Sequence, residues 1–548
     1  MSHYNPDPNK KVNLTIDGLP VTVPEGTTIL EAARKVNVNI PNLCNCSGLG
    51  KRAVCRLCVV ECDGRGKLLP ACSNDVWEGV SVVTNSLRLL NIRKTILELL
   101  LTEHPPECLS CVKNKKCELQ SLAAAFGIRE IPYSRRADKR RPRKMESSVL
   151  VRDMSKCIKC GRCVEACQEI QTVRAINSSC RGADYEICAP YGQELIDSAC
   201  VFCGQCAAVC PVGAIFEHDD TAEVQAALND SSLHTAVLIM PPAIGGIEKE
   251  FDLPSGSISG GTLVTALKRM GFAKVFSSEP FANLSIKEER AELIQRINNG
   301  GQLPMISGCS PAHKNFIQKF YSDLVPCLPA SRNPARMFME LLRENYPESA
   351  GMEKTKIRSV SIVPCISQKW ETRRTEGSLG RGSPTVNSDT PRSDFSLTPQ
   401  EIARMINTAG IDLRGLPESP YDEFPCVSQG QDSSGISGGT SKRQPGTELK
   451  ADEGFFQSRV YGAYTGRAPK LPAFGEVAGQ EGIKEAIADL DGKKLKILSV
   501  SGLANARAVL DTVRKGECDA MYIEIVSCSL DKSCPIDNGI SSNGFGEP

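Results

Sequence analysis

Two cysteine runs carry the most specific chemistry in this chain: Cys157, Cys160, Cys163 and Cys167, then Cys200, Cys203, Cys206 and Cys210 ahead of Pro211. Each has C-x2-C-x2-C-x3-C spacing, the pattern by which short loops hold [4Fe–4S] cubanes. In two-cluster ferredoxins the fourth thiolate of each run serves the other cluster. Cys157, Cys160, Cys163 and Cys210 are therefore assigned to one cubane, and Cys200, Cys203, Cys206 and Cys167 to a second. Cys180 and Cys188 lie between the runs without a role.

Upstream, Cys44, Cys55, Cys58 and Cys72 are spaced C-x10-C-x2-C-x13-C. A long loop, a close pair and a distant fourth thiol can wrap one rhombic [2Fe–2S] core, which is not the plant-type spacing; four thiolates also suit zinc. Cys46 and Cys62 are spare thiols. His104, Cys108, Cys111 and Cys117 follow as H-x3-C-x2-C-x5-C, four donors within fourteen residues. Of 26 cysteines most fall in such groups, and thiols two residues apart suit a shared metal centre rather than a structural disulfide. Cys327, Cys426 and Cys518 fit no spacing and are read as structural.

The elements that position these groups are partly legible. Val12, Leu14, Ile16, Val21 and Val23 alternate as in a hairpin, residues 28–36 and 87–101 read as helices, and residues 134–144 form a basic linker. From about His234 the texture is α/β, with apolar runs at 236–240 and 495–500 and amphipathic helices at 286–297 and 399–409. Residues 375–396 and 428–453, rich in Gly, Ser, Thr and Pro, read as loops or insertions. The 548 residues exceed a single core, and 65 basic against 64 acidic side chains point to neither nucleic acid nor a membrane surface. No signal peptide or membrane span is apparent, so a cytoplasmic location is expected. No G-x-G-x-x-G or Walker loop is present to bind a nucleotide.

The phrases Ile-Pro-Asn-Leu-Cys at 40–44 and Cys-Arg-Leu-Cys-Val-Val-Glu at 55–61 resemble the β-grasp [2Fe–2S] domain that opens complex I large iron–sulfur subunits and many [FeFe]-hydrogenases, where the same arrangement of one histidine and three cysteines follows. The resemblance implies that His104 is a ligand. Over nearly the whole chain it extends to the large subunit of modular, electron-bifurcating [FeFe]-hydrogenases, through Gly-Phe-Ala-Lys-Val-Phe (271–276), Pro-Met-Ile-Ser-Gly-Cys-Ser-Pro (304–311), Val-Pro-Cys-Ile-Ser-Gln-Lys-Trp-Glu (363–371) and Ile-Glu-Ile-Val-Ser-Cys (523–528). The implied fold is multidomain α+β. It comprises a β-grasp domain (1–83), a small helical domain for the one-histidine, three-cysteine cluster with its linker (84–144), a two-cluster ferredoxin domain (145–222) and a two-lobed α/β domain (232–548). One [2Fe–2S] and three [4Fe–4S] clusters are expected.

The family holds its catalytic cubane and di-iron centre on four cysteines. Cys309, Cys365 and Cys528 match three of them, but the fourth position is displaced to Cys534 in a C-x5-C. The relay cysteine before the first ligand is Gly308, the Trp four residues beyond that ligand is His313, and the Lys that holds a di-iron cyanide is Gln368. Glycine-rich stretches of the family read Ser433-Ser-Gly-Ile-Ser-Gly-Gly and Ser541-Ser-Asn-Gly-Phe-Gly here. Glu289 and Glu292 match proton-relay positions but are read as surface charges. No di-iron centre is expected; Cys309, Cys365, Cys528 and Cys534 are a candidate set for a further cubane or buried thiols. The expectation is an electron-transfer subunit of a bifurcating NAD(P)-linked oxidoreductase of transhydrogenase type. Its implied partners are a flavin- and NADH-binding iron–sulfur subunit, a small thioredoxin-like [2Fe–2S] subunit and ferredoxin. The alternatives are an active hydrogenase with altered ligation and a redox sensor or cluster carrier.

Overall fold

The computed structural model describes residues 7, 9–62, 68–134, 144–147, 149–308, 310–373, 394–425, 475–477, 480–490 and 493–526. The first five strands, β1 (Lys11–Ile16), β2 (Leu19–Pro24), β3 (Val59–Cys62), β4 (Leu68–Pro70) and β5 (Ser81–Val83), form one sheet in the order β2-β1-β5-β3-β4. The predicted hairpin is β1–β2, with Val12 opposite Val23 and all five alternating residues buried. Thr28 and Glu31 cap the helix Ile29–Lys35 reciprocally, and Ile29, Leu30, Ala32 and Ala33 press on the sheet.

The helix Leu87–Glu103 is tied to the cysteine loop by one residue. Buried Arg93 donates to the carbonyls of Leu57, Val59 and Thr84 at 3.0, 2.8 and 2.7 Å. A small sheet follows, β6 (Lys144–Glu146) and β7 (Leu150–Asp153) with β10 (Ile215–Glu217), and the hairpin β8 (Asn177–Ser179) and β9 (Glu186–Cys188) is inserted within it. Both ferredoxin-type runs lie between β7 and β10.

The C-terminal unit has two sheets. One is wholly parallel in the order β12-β11-β14-β15, from β11 (His234–Ile239), β12 (Lys274–Ser277), β14 (Ile357–Ile362) and β15 (Phe395–Leu397). The other runs β13-β19-β18-β17-β16, from β13 (Met305–Gly308), β16 (Gly475–Glu476), β17 (Ile483–Leu490), β18 (Lys493–Ser501) and β19 (Tyr522–Val526). The predicted helices occupy Glu279–Asn299 and Pro399–Thr408. The stretch 375–396, expected as a loop or insertion, ends in Phe395 and Ser396, which begin β15 by pairing with Val360 and Ser361. Most of both low-complexity stretches and of the basic linker lie outside the described residues. No described helix is long and apolar enough to cross a membrane.

Candidate metal centres

The thiols of Cys44, Cys55, Cys58 and Cys72 converge. Cys44 shares hydrogen bonds with Cys55 and Cys72, and Cys72 with Cys58. Those contacts drive Cys44 far down and push Cys55 and Cys72 up, since touching thiols cannot all be anions without a cation among them. Cys44, Cys58 and Cys72 are buried, and the Leu43 N–H points at Cys55 Sγ over 3.4 Å. This donor set suits a cationic core. The spare thiols Cys46 and Cys62 are buried beside it.

His104 closes the helix Leu87–Glu103, its N–H on Leu101 O, and leads into Cys108 and Cys111. Cys117 is raised by burial first and then by the charges of Cys111 and Cys108, so the three thiols share one neighbourhood. Cys108 is exposed, unlike the other thiols of these sets.

Within the ferredoxin-type runs, Cys210 neighbours the first three thiols of the first run, and Cys167 neighbours the first three of the second. Burial raises Cys157 to about 11 and Cys160 to about 12, and Cys210 adds to both; fully enclosed Cys163 responds next to Cys160, Cys210 and Cys157. Burial likewise raises Cys200 to about 11, with Cys167 adding to it, while Cys203 and Cys206 both respond to Cys200 and Cys167. The two sets adjoin through Cys206 and Cys210. Among the described residues no three such side chains gather as a site for a single metal ion. Ligands of a multi-iron core stand around a larger body than one ion.

Packing connects the four sets. One core holds Leu43, Leu57, Leu97, Cys117, Leu119 and Val212, with Cys55, Cys157 and Cys210 against it, so three sets meet there. Arg162 donates to Glu118 at 2.6 and 2.8 Å and to Asn45 O at 2.9 Å, and Arg52 bridges Gly161 O and Glu165 at 3.0 Å.

Farther on, the loop 200–203 is held by both C-terminal lobes. Asn315, on the helix Ala312–Phe320, donates to Val201 O at 3.1 Å, and Lys319 donates to Ser198 O and Cys200 O at 2.8 Å. Trp370, on the helix Ile366–Arg373 that follows Cys365, stacks on Phe202 at 3.9 Å and 10°. Gly204, at φ +78°, leaves the room Ile366 fills: a Cβ there would lie 2.9 Å from it.

At the C-terminal site, Cys365 is half-buried, while Cys309, Cys528 and Cys534 lie outside the described residues, as does Cys426. The strands preceding two of them are neighbours, Gly308 opposite Ile525. A Cβ on Gly308 would meet Ile525 O at 2.2 Å and His313 Nδ1 at 2.8 Å. His313 is itself buried, its Nδ1 2.5 Å from Ser310 O. Gln368 accepts from Asn333 at 3.2 Å, and the adjacent Lys369 turns away into a buried carboxylate group, Glu401 at 2.6 Å and Asp220 at 3.6 Å. The reading of Glu289 and Glu292 as surface charges is corrected. Glu289 is buried and accepts from Tyr522 Oη on β19 at 2.7 Å, and half-buried Glu292 accepts from Arg296 and the Ala330 N–H.

Residues 9–86 match the 2Fe-2S iron-sulfur cluster binding domain, 93–132 the NADH-ubiquinone oxidoreductase-G iron-sulfur binding region, and 147–216 the ferredoxin-like domain of NADH-quinone oxidoreductase subunit 3. Residues 234–534, more than half of the chain, match the C-terminal domain of the iron only hydrogenase large subunit. The chain belongs to the iron-only hydrogenase large-subunit family. The HndD subunit of the NADP-reducing hydrogenase of Solidesulfovibrio fructosivorans is 35% identical over 529 residues, covering 94% of this chain and 87% of that subunit. Iron hydrogenase 1 of Clostridium pasteurianum is 29% identical over 545 residues, 98% and 88% of the two chains. Subunit alpha of an NADPH-Fe(3+) oxidoreductase of Geobacter sulfurreducens is 36% identical over 204 residues, 37% of this chain and 24% of that one. This iron-only hydrogenase homologue thus carries the [2Fe–2S] and [4Fe–4S] domains that its cysteine spacing pointed to, and the match at 9–86 favours [2Fe–2S] over zinc there.

Residues that sequence reasoning did not single out are Arg93, Arg162, Lys319 and Trp370. They hold the cysteine loops from more than 30 residues away, and no local spacing announces them.

Proposed function

We propose that this chain is the iron–sulfur electron-transfer subunit of a multi-subunit, electron-bifurcating NAD(P)-linked oxidoreductase, exchanging electrons between ferredoxin and pyridine nucleotide without hydrogenase activity. In this reading Cys44, Cys55, Cys58 and Cys72 hold a [2Fe–2S] cluster, and His104, Cys108, Cys111 and Cys117 a [4Fe–4S] cluster. Cys157, Cys160, Cys163 and Cys210 hold the next cubane, and Cys167, Cys200, Cys203 and Cys206 the one after it. Bound clusters supply one-electron storage, with potentials set by ligand type, burial and nearby charge. The chain supplies thiolates, leaves only Cys108 of the four sets exposed, and keeps adjoining sets in common cores.

The observation that carries the reading is this unbroken packing, from the Cys55 loop to the Cys200–Cys203 loop clasped by both lobes. The NAD(P) link is inferred from the relatives' names, and a flavin- and NADH-binding subunit with a thioredoxin-like [2Fe–2S] subunit would supply the nucleotide site. Loss of hydrogen chemistry is supported by Gly308, where no side chain that could pass a proton fits between Ile525 O and His313. Cys309, Cys365, Cys528 and Cys534 remain the candidate set for a further cubane.

Anaerobic infrared spectroscopy, with iron and sulfide counted on the same sample, tests the reading. Iron for the four N-terminal clusters with no intrinsic CO or CN⁻ bands is expected. Such bands would overturn it and restore the hydrogenase reading.

A further inference from the structure

Arg152 on β7 is 2% exposed and among the largest fully buried side chains. Its Nη2 donates to Ile187 O at 2.7 Å, and Met154 Sδ lies 3.9 Å away. Its Nε and Nη1 are equally buried and have no hydrogen-bond partner among the described residues, where no carboxylate pairs with it either. Neighbouring cations are provided for: Arg162 has Glu118, Arg52 has Glu165, and Lys319 has two carbonyls. An enclosed guanidinium without a counter-charge is too costly to persist, so an anion belongs beside it.

The location says which. Ile187 and Met154, which Arg152 touches, belong to the core that packs Cys157, Cys163 and Cys210 of one ferredoxin-type set with Cys167, Cys200 and Cys206 of the other. It therefore stands where both sets feel it. A cubane held by four thiolates is anionic and gains one more negative charge on reduction. A fixed cation between two of them stabilises both, and the reduced forms more. A purely structural role, stapling the β8–β9 hairpin through Ile187 O, needs one guanidinium nitrogen and leaves the other two unexplained.

We propose that Arg152 is the shared counter-charge of the two ferredoxin-type clusters and holds both reduction potentials up. This rests on the reading that the two thiol sets hold cubanes. The experiment is an EPR-monitored redox titration of the full chain, with iron and sulfide counted first, comparing Arg152→Gln, which keeps a donor for Ile187 O without the charge, with Arg152→Lys, which keeps the charge. In Arg152→Gln, reduction of both cubanes should become at least about tenfold less favourable, about 59 mV for one electron. Arg152→Lys should stay near the unaltered protein, and the [2Fe–2S] and His104-side centres should not move. Loss of both cubanes in Arg152→Gln but not in Arg152→Lys would equally show that the charge is required. Unchanged potentials in Arg152→Gln, a shift of one cubane alone, or failed assembly in both variants would overturn the proposal. Absence of cubane signals from the unaltered protein would instead overturn the electron-transfer reading itself.

Discussion

Gly308→Ala adds a single methyl group, and two effects of opposite sign compete. Gly308 is not among the residues with positive φ, so alanine can adopt its backbone conformation. With space available the change would stabilise β13 by about 0.4–1 kcal/mol, through the smaller freedom of the unfolded chain. The structure removes the space: the new Cβ would sit 2.2 Å from Ile525 O and 2.8 Å from His313 Nδ1. Backbone on the paired strand cannot swing aside as a flexible side chain can, and overpacking of this kind costs about 1–3 kcal/mol. The clash wins, and the net effect is a loss of about 1–2 kcal/mol, from the same estimates. Because a chain of several domains does not unfold in one step, the assay is hydrogen exchange of β13 and β19 amides under anaerobic conditions. Protection around Ile306 and Ile525 should fall roughly five- to thirtyfold, at tenfold per 1.4 kcal/mol. Gly308→Cys should lose at least as much and gain no hydrogen evolution. Protection that stays the same or rises would refute the argument that this position is closed to a relay side chain.

Cys160→Ala and Cys203→Ala should each remove one ferredoxin-type EPR signal and interrupt electron transfer along the chain of clusters; transfer that survives intact in both variants would refute the route. Lys369→Ala leaves Glu401 buried without its cation, while Asp220 keeps Arg373, and should cost about 3–5 kcal/mol, seen as lost hydrogen-exchange protection in the helix Pro399–Thr408. A double change, Lys369→Met with Glu401→Leu, should recover much of the loss. Glu217 is raised from 4.5 to about 7, first by burial and then by the charge of Glu401. Its folded value exceeds the unfolded one, so its contribution to stability is full below the ordinary carboxylate range and is lost as pH rises through about 7. The loss amounts to up to about 3 kcal/mol. Glu217→Gln, which still accepts from Thr398 Oγ1, should therefore protect the β10 amides better than the unaltered protein does at pH 8 and show a flatter profile of local stability between pH 5 and 8, by hydrogen exchange corrected for intrinsic rates.

The cluster-binding domains were legible because their ligands are short-range. A cubane's thiolates must come from one tight loop plus one distant residue, so C-x2-C-x2-C-x3-C is written in consecutive residues, and so is the alternation of Val12, Leu14 and Ile16 that makes β1. The same reasoning misplaced Glu289. A helix taken alone shows Glu289 beside charged neighbours, and only the arrival of Tyr522, 233 residues later, buries it. β15 was missed because three residues of Phe395–Leu397 carry no periodic signal, and their strand geometry is imposed by β14.

The sequence by itself determined which cysteines fall into cluster-type spacings, and that several residues around the expected C-terminal site depart from the family pattern. Only the tertiary structure decided that the crossed thiol sets adjoin, that Gly308 is walled in by the next strand, that Lys369 turns from the pocket to Glu401, and that Arg152 is enclosed beside both ferredoxin-type sets. The reason is range. Ligand spacing is a property of a few consecutive residues, whereas charge, space and desolvation at a site are the sum of neighbours that folding brings from far along the chain.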